Sequence, residues 1–123
     1  MAKAKYTGPS EALELYEELL NRLDSVDRKG AANPYTSLNG HMFSFLDKEG
    51  TVAIRFSDND WTEFTTTYDS GPSIQYGKTM NGYATVPADL LADTDALSPW
   101  LERSYHYIAS LKPKPTARKK SKQ

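Results

Sequence analysis

The stretch NGYATVPADLLADTDALSPWLERSYHYIASL, residues 81–111, decides the fold of this chain. It reads as a short strand, a turn opened by Pro87, and one long amphipathic helix over about residues 95–111. Leu97, Trp100, Leu101, Ser104, Tyr105, Ile108 and Leu111 recur at helical spacing and define an inner face. Pro99 fits poorly inside a helix begun at Thr94, because it removes a donor and crowds the preceding turn. The spacing therefore predicts an irregular turn at 95–98, with Ser98 as cap and Pro99 at the first helical position. Pro87 predicts a helical turn over Ala88 to Leu91.

Outward from this stretch, a strand pair is expected near residues 73–76 and 80–86, joined through Gly77-Lys78-Thr79. Before it, Ser57 and Asp60 resemble a capping box, with Trp61, Phe64 and Tyr68 at helical spacing behind it. The threonine run disfavours helix, so two or three turns are predicted, ending near residues 69–71. Residues 38–46 (LNGHMFSFL) and 51–56 (TVAIRF) read as another strand pair. Asp47-Lys48-Glu49-Gly50 suits a type I turn with Gly50 in the left-handed region. In the second strand Val52, Ile54 and Phe56 alternate with Ala53 and Arg55. In the first, Leu38, Met42 and Leu46 share one face and His41, Phe43 and Phe45 the other, which predicts a central strand. A first helix is expected over residues 9–23, with Pro9 at its first position and Ala12, Leu13, Tyr16, Leu19, Leu20 and Leu23 on its buried stripe. A polar linker, residues 24–37, follows it. The order is helix, hairpin, short helix, hairpin, helix. It predicts an α+β fold: a two-layer sandwich whose antiparallel sheet of about four strands, in two hairpins, packs against N- and C-terminal helices.

A chain of 123 residues supports one core. The expected organisation is a flexible N-terminus over 1–8, a single domain over 9–111 and a basic disordered tail over 112–123. No apolar run approaches the ~20 residues of a membrane-spanning helix, so no membrane partner is expected. MAKAKYTGPSE lacks the apolar region of a secretory signal. The absence of cysteine removes disulfides and thiol chemistry and agrees with a cytoplasmic setting. The formal net charge of −1 hides an asymmetry. Lys112, Lys114, Arg118, Lys119, Lys120 and Lys122 stand in a tail without acids, while residues 1–111 hold nine basic and sixteen acidic residues, a balance of −7. Such a tail is chiefly solubilising; the sharper alternatives are a nonspecific clamp on nucleic acid or contact with an acidic surface.

Catalytic signatures are missing. No Gly-x-Ser-x-Gly elbow, Gly-x-x-x-x-Gly-Lys loop or Gly-x-Gly-x-x-Gly fingerprint occurs, so the chain reads as a non-enzyme without a cofactor. The two histidines, His41 and His106, are far apart and form no metal-ligand set. The pairs Asp58/Asp60 and Asp93/Asp95 precede predicted helices and suit capping. One polar constellation remains around the linker and first hairpin: Arg28, Lys29, Tyr35, Asn39, His41 and Arg55. If Asn39, His41 and Arg55 share a sheet face, they line a pocket for an anion; otherwise they are a solvated rim. The abundant tyrosines read as core residues with hydroxyls at the edge.

Taken together, PYTSLNGHMFSFLDKEG at 34–50, Tyr76-Gly77, MNGYATVP at 80–87, DLLADTDAL and the Trp100–Leu111 helix resemble the N-terminal domain of the competence regulator TfoX (the TfoX/Sxy family). The resemblance covers most of residues 9–115. It implies a TfoX N-terminal-like α+β fold, a bacterial cytoplasmic setting and a regulatory role in transcription. The second, C-terminal TfoX domain is not part of this sequence, and no family catalytic residue carries across. The functional expectation is an interaction or regulatory domain, acting through protein contacts or as a homodimer through a sheet face or edge. The alternatives are tail-led nucleic-acid binding, and a small-ligand pocket or enzyme at Lys29, Tyr35, Asn39, His41 and Arg55.

Overall fold

The computed structural model describes residues 6–23, 26, 28–30, 33–75 and 77–111. Its elements are α1 (Ser10–Asn21), β1 (Tyr35–Leu38), β2 (His41–Leu46), β3 (Val52–Arg55), α2 (Asp58–Thr67), β4 (Pro72–Gln75), β5 (Lys78–Thr85), α3 (Ala88–Leu91) and α4 (Thr94–Ala109). The strands form one sheet in the order β1-β2-β3-β5-β4, with every neighbouring pair antiparallel. The fold is thus α+β with an antiparallel sheet, as expected, and the two expected hairpins join through β3 and β5.

The sheet has five strands rather than about four, because residues 38–46 are not one strand. Asn39 (φ 56°) and Gly40 (φ 81°) form a two-residue turn closed by the pair Leu38–His41. Positive φ at both central positions marks a type I′ hairpin, for which Asn-Gly is the favoured dipeptide. The turn moves Tyr35, Thr36 and Ser37 from the predicted linker into a strand. A register shift follows: Thr36 pairs with Ser44 but Ser37 with Met42, leaving Phe43 as the extra residue of a bulge. The bulge undoes the simple alternation. Phe43 is buried and meets Tyr105 of α4, whereas Phe45 meets Tyr83.

One sheet face is sealed by helices. Thr36, Ser44, Ile54 and Ala84 lie in register across it and are each fully buried. Tyr16 of α1 reaches this row and shares a hydrogen bond with Ser44 (2.7 Å), and Ser44 shares another with Thr36 (2.6 Å). Three hydroxyls satisfy one another in an otherwise apolar layer, which removes the cost of burying them. Burial also raises the Tyr16 phenol far above its ordinary value. The prediction of a core tyrosine stands, but its hydroxyl is in the interior rather than at the edge.

The α2–α4 corner is aromatic. Trp100 stacks edge-on against Phe56, Phe64 and Tyr68, and its indole N–H donates to the Tyr68 hydroxyl (3.0 Å). Arg103 lies over the same indole at 4.5 Å and pairs with Asp60 (2.6 Å) and Glu63 (2.9 Å) of α2. These contacts fix α2, whose threonines are poor helix formers; Ser57 caps it by accepting from the Asp60 N–H (3.3 Å). At the other corner, Arg22 pairs with Glu18 and Asp95, and its Nε donates to Thr94 (3.0 Å), tying α1 to the start of α4.

Two helix starts differ from expectation. Pro9 is the cap of α1 rather than its first residue. Helix α4 begins at Thr94, capped by Asp93, which accepts from the Ala96 N–H (3.2 Å), and continues through Pro99. Pro99 leaves the Asp95 carbonyl without its helical donor, and the Ser98 hydroxyl points to that oxygen at 3.5 Å. The buried face from Leu97 to Ile108 holds the helix across the interruption.

Both sheet borders are blunted. Outside β1, Lys29 exchanges two backbone hydrogen bonds with Tyr35 (2.7 and 2.9 Å). On the other border β4 has four residues and begins with Pro72, which has no N–H to offer.

Candidate functional site

The pairing of the second hairpin is broken in register. Pro72 pairs with Ala84 but Ser73 with Met80, so three residues of β5 lie opposite a single step of β4. Gly82, at φ +83°, provides the backbone geometry for this break. The distal hairpin beyond the break, residues 73–75 and 77–80, comes alongside β2 and the β2–β3 turn. Gln75 donates to the Asp47 carboxylate (3.3 Å), and the two segments enclose a cleft of about 750 Å³. Volumes in this range are ordinary for binding clefts.

Met42, Phe45 and Leu46 of β2, with Ile74 and Met80 of the hairpin, give the cleft its apolar lining. Asn33, Asp47, Lys48, Glu49, Gln75 and Lys78 form its polar part. Ile74 is 60% exposed, the one large apolar side chain among the described residues that stands in solvent to this degree. The methionines add unbranched, polarizable side chains able to repack around differently shaped apolar groups. Tyr83 supports the floor: its ring meets Phe45 and its hydroxyl donates to the Met42 carbonyl (2.6 Å). Burial pushes the Tyr83 phenol up to about 12, against the opposing pull of the Arg55 guanidinium.

Asp47 organises the turn at the cleft rim. One carboxylate oxygen accepts from the Glu49 and Thr51 N–H groups, each at 2.9 Å, and the other accepts from Gln75. Gly50, at φ +86°, completes the turn in the left-handed conformation that the sequence predicts.

The five pocket residues expected from sequence are dispersed. Lys29 and Tyr35 are joined by their backbone bridge, and the Lys29 ammonium donates to Ser37 (2.8 Å). Asn39 is in the β1–β2 turn, not beside His41 on a strand face, because the predicted single strand is two. His41 opens β2 at the far end of β1 from Tyr35, roughly 10 Å away at ~3.3 Å per residue. Arg55, on β3 and two strands from β1, is paired with Tyr83 of the adjacent β5, with its guanidinium 6.0 Å from the Tyr107 ring centre. None of the five lines the cleft, or the two smaller clefts beside the end of α1. The tail residues Lys112, Lys114, Arg118, Lys119, Lys120 and Lys122 lie outside the described residues.

Sequence reading missed Met42, Phe45, Ile74 and Met80 as a group. Ile74 between Ser73 and Gln75, next to a glycine turn, is the local signal of an outward-facing apolar residue. Its approach to β2 depends on the register break at Gly82, which no local pattern announces.

Among the described residues, no group of three or more His, Asp and Glu side chains is placed to hold a metal ion, and no helix is long and apolar enough to cross a membrane. No family model, curated protein or solved structure matches the chain.

Proposed function

We propose that the chain is a non-enzymatic interaction domain of the regulatory kind implied by its resemblance to the TfoX N-terminal domain. A partner protein's apolar segment docks in the cleft between the distal hairpin and β2. The carrying observation is Ile74, a large apolar side chain 60% exposed at an apolar-lined cleft. An exposed apolar patch with a polar rim marks a contact site more often than an idle surface. Its openness favours a polypeptide over a small molecule, because a small-ligand pocket buries most of its guest and leaves little of its own lining in water. The blunted borders favour docking on this face over strand addition at an edge.

The test uses the neutral dye N-phenyl-1-naphthylamine, whose fluorescence rises in apolar surroundings. The intact chain is expected to enhance its emission, and the double variant Met42→Asp/Met80→Asp to lose that enhancement while keeping its circular dichroism spectrum. Equal enhancement by a folded variant, or none by the parent, would overturn the reading.

A further inference from the structure

The apolar lining says little about which segments the cleft prefers; the charges at its rim say more. Among the described lysines and arginines, most are engaged. Arg22, Arg28 and Arg103 pair with carboxylates, Lys29 donates to Ser37, and Arg55 lies near the Tyr107 ring. Lys48 and Lys78 have no partner among the described residues, and both line the cleft, one from the β2–β3 turn and one from the hairpin. Among the described residues, unengaged positive charge is therefore concentrated at this one opening.

Two acids share the rim. Asp47 keeps its charge, but its oxygens are occupied by hydrogen bonds from Glu49, Thr51 and Gln75 and are not offered to a partner. Glu49 forms no ion pair with either lysine and remains a fixed negative charge on the exposed turn. From this arrangement we infer that the cleft selects an extended apolar segment flanked by carboxylates, which meet Lys48 and Lys78 while the apolar side chains cover Met42, Phe45 and Ile74. The inference rests on the docking reading above and adds the sign of the partner's charge.

Charge complementarity of this kind acts on selectivity and encounter rate more than on bulk affinity. The two lysines give an acidic partner a defined landing place at the cleft. The attraction is between exposed groups and weakens with salt over the ~8–10 Å screening length of physiological solutions.

A random-peptide display selection on the full-length chain provides the test. The expected pool is rich in apolar residues bordered by Asp and Glu. Peptides made from it should bind Lys48→Glu/Lys78→Glu about tenfold or more weakly, and Glu49→Gln more tightly than the parent. Reversal at the lysines also separates the cleft from the tail, since acidic peptides held by Lys112–Lys122 would be unaffected by it. Retained affinity in the reversed variant would overturn the inference. An apolar pool without acidic borders, lost on Met42→Asp/Met80→Asp, would overturn the charge preference and leave the docking reading standing. A pool indifferent to the methionine substitutions, or no binding pool at all, would overturn both.

Discussion

The two faces of the sheet are built from the same strands but solve opposite problems. On the helix-covered face, the Thr36–Ser44–Ile54–Ala84 row is closed to water, and its polar atoms are satisfied by one another and by Tyr16. On the other face, Phe45 and Met42 are partly covered by a short hairpin that ends with Ile74 in solvent. Burial on the first face is finished within the chain. On the second it is left incomplete, at the place where, among the described residues, unengaged lysines also gather. The contrast teaches that a single β-layer can complete its burial on one side and leave it unfinished on the other.

The strongest way to break this division is to remove Trp100. It fills the α2–α4 corner, and Trp100→Ala should cost about 3–5 kcal/mol in denaturant-induced unfolding. A loss below ~1 kcal/mol would mean that the helical side is not where stability resides. Alkaline pH probes both faces through their tyrosines. Tyr83 ionises at about 12 when folded and near its ordinary value of ~10 when unfolded, so the unfolded chain releases the proton first. Stability is full below pH ~10 and falls as pH rises toward ~12, by roughly 2–3 kcal/mol from Tyr83, and Tyr16 shifts in the same direction. A pH titration of the unfolding free energy reads this directly; a flat profile to pH ~12 would contradict the burial of the two phenols.

A finer probe is Tyr16→Phe. It removes one hydroxyl while Thr36 and Ser44 still bond to each other, so a loss of about 1 kcal/mol is expected in the same unfolding assay. The smallest stability effect belongs to the open face. Gln75→Ala removes one 3.3 Å contact and should change stability by less than ~0.5 kcal/mol, yet increase hydrogen exchange at Ile74 and Thr79. Unchanged exchange would show that the hairpin is held by its apolar contacts instead.

The helical side was legible in sequence because its signals are local and repeated. Leu97, Trp100, Leu101, Ser104 and Ile108 are all buried on α4, and Ser57 caps α2 as its sequence indicates. Pro99 misled because a single rule about prolines was set against a whole buried stripe, and the stripe prevailed. The open side was hard to read for a different reason. Asn39-Gly40 is a strong hairpin signal, but it sits within a run whose flanking residues also fit one longer strand. The bulge at Phe43 and the register break at Gly82 then decide which side chains face the cleft. Both are relations between strands, and a sequence read along its length contains no direct record of them. Charge was legible in amount but not in placement: the excess of acids in residues 1–111 is plain, while the isolation of Lys48 and Lys78 emerges only once the other described cations have found their neighbours.

The closed borders of the sheet carry one more consequence. A β-layer with an apolar opening invites runaway self-stacking, in which each copy templates the next through exposed main chain. With Lys29 shielding one margin and Pro72 shortening the other, that route to fibrils is obstructed before it starts. The molecule is thereby free to keep a sticky patch in water without becoming a seed.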